Sequence, residues 1–434
     1  MLTTKPERKL KRLLPSDEPE AAPQAGAKAA AVAEAPPLPS ALPPPRWVRL
    51  LREDARRLPV EARVRNIGQL HKLLRRAALI EHTTIPPYLT ALYSLKDGAN
   101  EQSANIIKGV LVEEMLHWIL AANVLNAVGG EPAFNDPRFV PTYPTNLLDL
   151  LNARTGPGVK SLDALLKVDA VSARAGARAA AGPPPVEVGI LKFSEEAIDT
   201  FLEIETPEPK HEAPSDEITT IGAFYKILID GLETLEAEAH RKGKTIFTQD
   251  PERQKRQVGP EHYYGSGGSA VVVTDLHTAR RALKEIIFQG EGFDPRFYEG
   301  NASIGDYDEL GHYYRYNQIK QGRFYAKGDT PLTGPRGAPL RVDWDKVYDM
   351  KPNPSLADYR HQPELRAKGE AFNRGYLGLL DKMQLAFTGR PDLLQEAVVI
   401  MFQLKYLAAE LLKNPLGAGP LHAGPVFGYP TDAG

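Results

Sequence analysis

Apolar residues recur every three or four positions along several stretches of this chain, the spacing of helices with one buried face. From about Val64, the residues Leu70, Leu74, Ala77, Glu81, Thr84 and Tyr88 share such a face. The next stretch repeats it with Ile107, Val110, Glu114, His117, Ala121, Val124 and Val128, and Gly129-Gly130 supplies a C-terminal stop. A third helix begins near Asp275 and carries Ala279, Leu283, Ile287 and Glu291, and a fourth aligns Glu309, His312, Tyr316 and Ile319. Thr219 to Leu235 reads as a further helix with Ile221, Phe224, Tyr225, Leu228 and Leu232 inward, contributing core and no evident chemistry. Two more apolar helices, about Glu370 to Phe387 and Pro391 to Leu412, are expected to pack outside a central four. The fold class that follows is mainly α: a four-helix bundle with additional outer helices and irregular insertions.

Other segments interrupt this pattern. Pro86-Pro87 falls inside the first helix, where missing amide donors predict a break or a bend. Ala270-Val-Val-Val-Thr274 is β-branched and reads as a short strand or an extended lead-in to the helix after it. Ala175 to Pro185 is an Ala/Gly/Pro linker. Glu18 to Pro45 is Ala/Pro-rich and cannot bury enough apolar surface to offset its ordering entropy, so residues 1–45 are expected to form a disordered leader. Within it Lys5, Arg8, Lys9, Lys11 and Arg12 alternate with Leu10, Leu13 and Leu14, a solvated basic tail or a segment that docks on a partner protein. Residues 46–330 then form the bundle with its insertions, and 331–434 a helical extension packing on it.

Composition narrows the chemistry. The formal charge of −2 lacks the basic excess of a nucleic-acid binder, and no apolar stretch is long enough to span a membrane. The N-terminus has no apolar signal core, which predicts a cytoplasmic protein. There is no cysteine, so thiolate metal sites, cysteine-ligated clusters and cysteine nucleophiles are excluded. Any metal must be held by oxygen and imidazole nitrogen.

A dinuclear carboxylate site in a helical bundle takes one Glu from each of two helices and a Glu-x-x-His pair from each of two others. This chain offers Glu81, then Glu114 with His117, then Glu291, then Glu309 with His312. The i, i+3 spacing puts each Glu and His on one helical face, where both reach the same ion. With ten histidines the spacing arises readily by chance, and it occurs three times. The third copy, Glu208-Pro-Lys-His211, lies between prolines in a loop and is set aside. The other two sit on apolar faces, where an unpaired Glu or His is costly. Glu285 competes with Glu291, which is preferred because it continues the Leu283/Ile287 stripe. His82 and His240 have no ligand pattern and read as surface or hydrogen-bonding residues; Tyr313, Tyr314 and Tyr316 lie beside the last pair and read as packing. Two divalent ions among four carboxylates make a locally neutral cluster, and this donor set suits iron, with manganese as the alternative.

The runs Glu81-His-Thr-Thr-Ile-Pro-Pro-Tyr-Leu, Glu113-Glu-Met-Leu-His117, Gln289-Gly-Glu-Gly292 and Glu309-Leu-Gly-His-Tyr-Tyr-Arg315 together resemble the ferritin-like domain of the iminophenyl-pyruvate dimer synthase family. The resemblance runs from about Ile67 to Arg323, and Ala423-Gly-Pro-Val-Phe-Gly-Tyr429 matches the family's ending. It implies a secondary-metabolism oxidoreductase that couples two amino-acid-derived imines. The expected function is a di-iron oxidase or oxygenase using O₂ and a small organic substrate, without nucleic-acid or membrane partners and with a homo-oligomer left open. The alternatives are an iron-binding or storage protein and a structural bundle with a degenerate site.

Overall fold

The computed structural model describes residues 64–152, 186–207, 218, 220–263, 267–291 and 310–429, without the side chains of Leu148, Asp149, Asn152 and Glu291. The leader at 1–45, the linker at 175–185, the Glu208/His211 pair and Glu309 lie outside the described residues.

Helix α1 spans Ile67–Ser94, started by the Asn66 side chain accepting the amide of Gln69. Helix α2 spans Glu101–Ala127 and ends where Gly129, at φ 79°, turns the chain and the amide of Gly130 bonds the carbonyl of Leu125. The two pack as a hairpin. Strand β1 (Thr145–Asn146) runs straight into the short helix α3 (Leu147–Asn152) and pairs antiparallel with β2 (Glu187–Val188). Helix α4 (Glu195–Ile204) is capped by Ser194, with Glu195 and Glu196 in its first turn, and α5 (Ile221–His240) is capped by Thr220. The short α6 (Pro251–Gln254) leads toward α7 (Leu276–Glu291), whose start is held by Asp275 accepting the amide of Thr278. Helix α8 runs His312–Gln321 and stops at Gly322, φ 63°. Helices α9 (Pro363–Ala386) and α10 (Leu394–Leu412) form an outer pair, and α10 packs on α1.

The predicted inward faces are the buried ones: Leu70, Leu74, Ala77, Ile107, Val110, Ala121 and Val124 have no exposed surface. The middle of α1 is buried on every side, because the outer helices cover the face that the bundle leaves open. His82 is therefore not a surface residue. It lies between Trp118 and Phe139 and shares a 2.8 Å hydrogen bond with Tyr376 of α9.

Among the local alternatives the structure excludes a break at Pro86-Pro87 and a strand at 270–274, and it corrects one expectation outright. Helix α1 runs through Pro86-Pro87 without a break. Pro87 has no amide for the carbonyl of Thr83, and Tyr143 donates its hydroxyl there instead, at 2.8 Å. Ala270–Thr274 forms no strand; the Gln257 side chain bonds both the amide and the carbonyl of Val273 in place of a neighbouring strand. The helix expected to contribute core alone is α5, Ile221–His240, and it does carry chemistry, through Tyr225.

Candidate metal centre

Four helices bring charge into the core. Glu81 comes from α1, Glu114 and His117 from α2, Glu205 from the residue that closes α4, and His312 from the first turn of α8. Each is at most 6% exposed. Such a concentration of ionisable groups away from water persists only with specific partners.

Each carboxylate commits one oxygen to a buried hydroxyl. Tyr225 donates to Glu81 Oε1 at 2.5 Å, Thr84 to Glu114 Oε2 at 2.6 Å and Tyr88 to Glu205 Oε1 at 2.6 Å. The remaining oxygens face the imidazoles. His117 Nδ1 is 3.3 Å from Glu81 Oε2 and 3.7 Å from Glu114 Oε1. His312 Nδ1 is 2.8 Å from Glu114 Oε1 and 3.5 Å from Glu205 Oε2. The arrangement is two carboxylate–imidazole pairs, Glu81 with His117 and Glu205 with His312, joined by Glu114.

The electrostatics express this crowding. Burial pushes Glu81 up to about 8, with the neighbouring charge of Glu205 adding to it, and burial with the charges of Glu205 and Glu81 pushes Glu114 up to about 7. Burial lowers His117. It opposes the charge on His312 too, but the charge of Glu205, the hydrogen bond to Glu113 and the nearby carboxylate of Glu114 outweigh it and hold that imidazole well above its ordinary value. Protons thus supply the positive charge among these carboxylates. Burial also raises Tyr88, Tyr225 and Tyr316 well above the usual phenol, so all three stay neutral, and Tyr88 and Tyr225 remain donors.

These residues fit a cation. One ligand atom each from Glu114, His117 and His312 lies within 4.8 Å of the others, close enough to surround an ion. His312 Nδ1 is buried and makes no aligned hydrogen bond, although two carboxylates face it. Oxygen and imidazole donors without sulfur suit a divalent metal of the iron or manganese type.

Of the six residues singled out from sequence, Glu81, Glu114, His117 and His312 come together here. Glu309 lies outside the described residues. Glu291 ends α7 with its side chain undescribed, and a further carboxylate that faces His312 Nδ1 is Glu205, which sequence reasoning missed. Its signal was present: Ser194-Glu-Glu marks a helix start, and Ile198, Phe201 and Glu205 share one face. Glu285 is half-buried and accepts from Gln289, which in turn contacts His117 Nε2 at 2.9 Å. His240 is exposed beside Glu236. Tyr316 packs edge-on against Tyr88, while Tyr313, Tyr314 and Tyr325 form a separate small cluster.

Among the described residues no helix is long and apolar enough to cross a membrane. A search of curated proteins finds no match to the sequence. Among solved structures the chain is similar to a ferritin-like protein from Caulobacter vibrioides, with 20% identity, a TM-score of 0.50, and coverage of 84% of this chain and 99% of that one. That likeness concerns the fold. A ferritin-like family model matches residues 74–321, more than half of the sequence, and the chain belongs to the ferritin-like family.

Proposed function

We propose that the cluster is a dinuclear non-haem metal centre, with iron as its metal, and that the protein is an oxidase or oxygenase acting on a small organic substrate. The observation that carries this reading is the pairing of Glu81 with His117 and of Glu205 with His312 around a shared Glu114. Glu309, one turn before His312 in sequence, would be the second shared carboxylate. Bound iron would supply the redox chemistry with O₂.

The chain's own contribution is position and exclusion of water. Tyr225, Thr84 and Tyr88 aim the three carboxylates, and the apolar surroundings keep competing ligands out. The resemblance to iminophenyl-pyruvate dimer synthases suggests aromatic imino acids as substrates. Coupling two of them forms one carbon–carbon bond and releases two protons and two electrons, which O₂ accepts to give hydrogen peroxide. The helices outside the bundle, α9 and α10, favour this reading over iron storage, because they add elements that holding iron does not require.

The test is rapid-mixing absorption of the ferrous protein with O₂, with and without aromatic imino acids. An enzyme gives substrate-dependent oxidation and a coupled product. Oxidation indifferent to substrate, with many irons accumulating per chain, would assign the protein to storage, and a ferrous protein inert to O₂ in every condition would defeat both readings.

A further inference from the structure

The two site histidines turn Nδ1 toward the carboxylates and Nε2 outward, and their outward partners differ. His117 Nε2 lies 2.9 Å from Gln289 Oε1. The orientation of that amide is set by its nitrogen, which donates to the Gly267 carbonyl at 2.5 Å and to Glu285 Oε1 at 3.2 Å. Its oxygen is thereby left for His117, which must be the donor through Nε2. Gly267, at φ +88°, allows this approach: a Cβ there would come within 2.8 Å of Glu113 Cγ.

His312 Nε2 lies 3.0 Å from Glu113 Oε2. Glu113 is held by Arg315, whose Nη2 donates to both its oxygens at 2.9 and 3.0 Å, while Arg315 Nε donates to the Leu310 carbonyl at 2.6 Å. Glu113 sits next to Glu114 on α2, yet it faces the back of the imidazole whose front faces Glu114. Both rings therefore present an Nδ1 lone pair inward once Nδ1 gives up any proton. One ring is backed by a neutral amide and the other by a carboxylate. A carboxylate accepting the far N–H makes the imidazole the stronger donor and fixes it more firmly.

We propose that Gln289 and the Glu113–Arg315 pair are positioning residues that set the tautomer of both histidines, and that their inequality makes the His312 end of the cluster the tighter metal position, filled first. This rests on the metal-pair reading given above.

The experiment is titration of the full-length, chelator-stripped protein with Co²⁺, followed by calorimetry and by the visible d–d absorption of the bound ion. Wild type should fill in two steps separated by about tenfold or more, since outer partners of this kind alter affinity by roughly 10–100-fold. Glu113→Gln should weaken the tight step by that factor, shift the d–d bands of the first ion bound and leave the second step nearly unchanged. Gln289→Leu should weaken the second step further, widen the gap between the two and leave the first nearly unchanged. Glu113→Gln leaves the Arg315 charge buried without its carboxylate, so the double variant Glu113→Gln with Arg315→Met, checked for folding by its thermal melt, provides the same comparison. The inference is overturned if the wild-type steps are equal, or if removing Glu113 weakens both alike or neither, in a protein that still takes two Co²⁺ per chain. A wild-type protein that binds no Co²⁺ overturns the metal reading and this inference with it.

Discussion

Glu205 Oε2 and His312 Nδ1 face each other at 3.5 Å, joining the residue that closes α4 to the first residue of α8. An acidic side chain at a helix C-terminus opposes the negative end of the helix dipole. Local electrostatics therefore give no reason for a carboxylate there, whereas the imidazole opposite, together with the Tyr88 hydroxyl, accounts for it.

The first prediction follows from that pair. Glu205→Ala should remove most of one metal equivalent, because the inward Nδ1 of His312 then faces Glu114 alone among the described carboxylates, Glu113 lying behind the ring at Nε2. Elemental analysis of the purified variant beside wild type, both grown with iron, checks this; full loading of Glu205→Ala would remove that residue from the site.

How far this was legible in sequence depended on whether chemistry and packing shared a period. Glu81, Glu114 and His117 could be read because their steps of three and four continue long apolar faces on α1 and α2, all of them buried. Glu205 could not be read as easily. It closes a ten-residue helix preceded by an irregular segment, and its apolar stripe covers barely two turns. That the helix does not break at Pro86-Pro87 could not be read for a different reason: the carbonyl that Pro87 leaves open is satisfied by Tyr143, far away in sequence, and no local pattern announces that. For His82 the choice between a surface and a hydrogen-bonding role stayed open, because burial of α1 from all sides depends on α9 and α10 folding back over it.

Arg315 carries a second prediction. Its bidentate contact neutralises Glu113, which is 2% exposed and whose carboxyl, despite burial, the guanidinium pulls down to about 2. Arg315→Met leaves that carboxylate facing only His312 among the contacts described here and should cost about 3–5 kcal/mol. Much of this should return when Glu113→Gln is added, since no lone buried charge remains. Urea unfolding of the single and double variants measures both, and equal midpoints for the two would contradict it.

A third prediction concerns the packing of the segment before α7. Asn123 of α2 has no exposed surface; it donates to the carbonyls of Val258 and Val271 at 2.8 and 2.9 Å and accepts the amide of Val258 at 2.9 Å. These bonds replace the strand pairing that the β-branched run at 270–274 lacks. Asn123→Ala leaves three buried backbone groups without partners and should cost roughly 3 kcal/mol or more. The loss should appear as a lower denaturation midpoint, with amides near Val258 exchanging faster with solvent. A substitution that changes neither would show that the segment is held by apolar contacts alone.

The last prediction is that metal and fold are coupled through Glu81, Glu114 and Glu205. Folding gathers these carboxylates out of water, and without a cation Glu81 and Glu114 are accommodated by taking up protons, as their raised values of about 8 and 7 express. A divalent ion that binds the assembled cluster, and not the unfolded chain, stabilises the fold by mass action, about 2.7 kcal/mol at a free concentration one hundred times its dissociation constant. Stripping the metal with a chelator should therefore lower the melting temperature by several degrees, and adding Fe²⁺ or Mn²⁺ without oxygen should restore it. Glu114→Ala should respond far less, because the carboxylate shared by both histidines is gone and each ion loses a ligand. Differential scanning calorimetry of stripped and reloaded protein checks this. A melting temperature that is the same with and without metal, in a protein shown by elemental analysis to have been loaded, would mean that the ions are not held by these buried side chains.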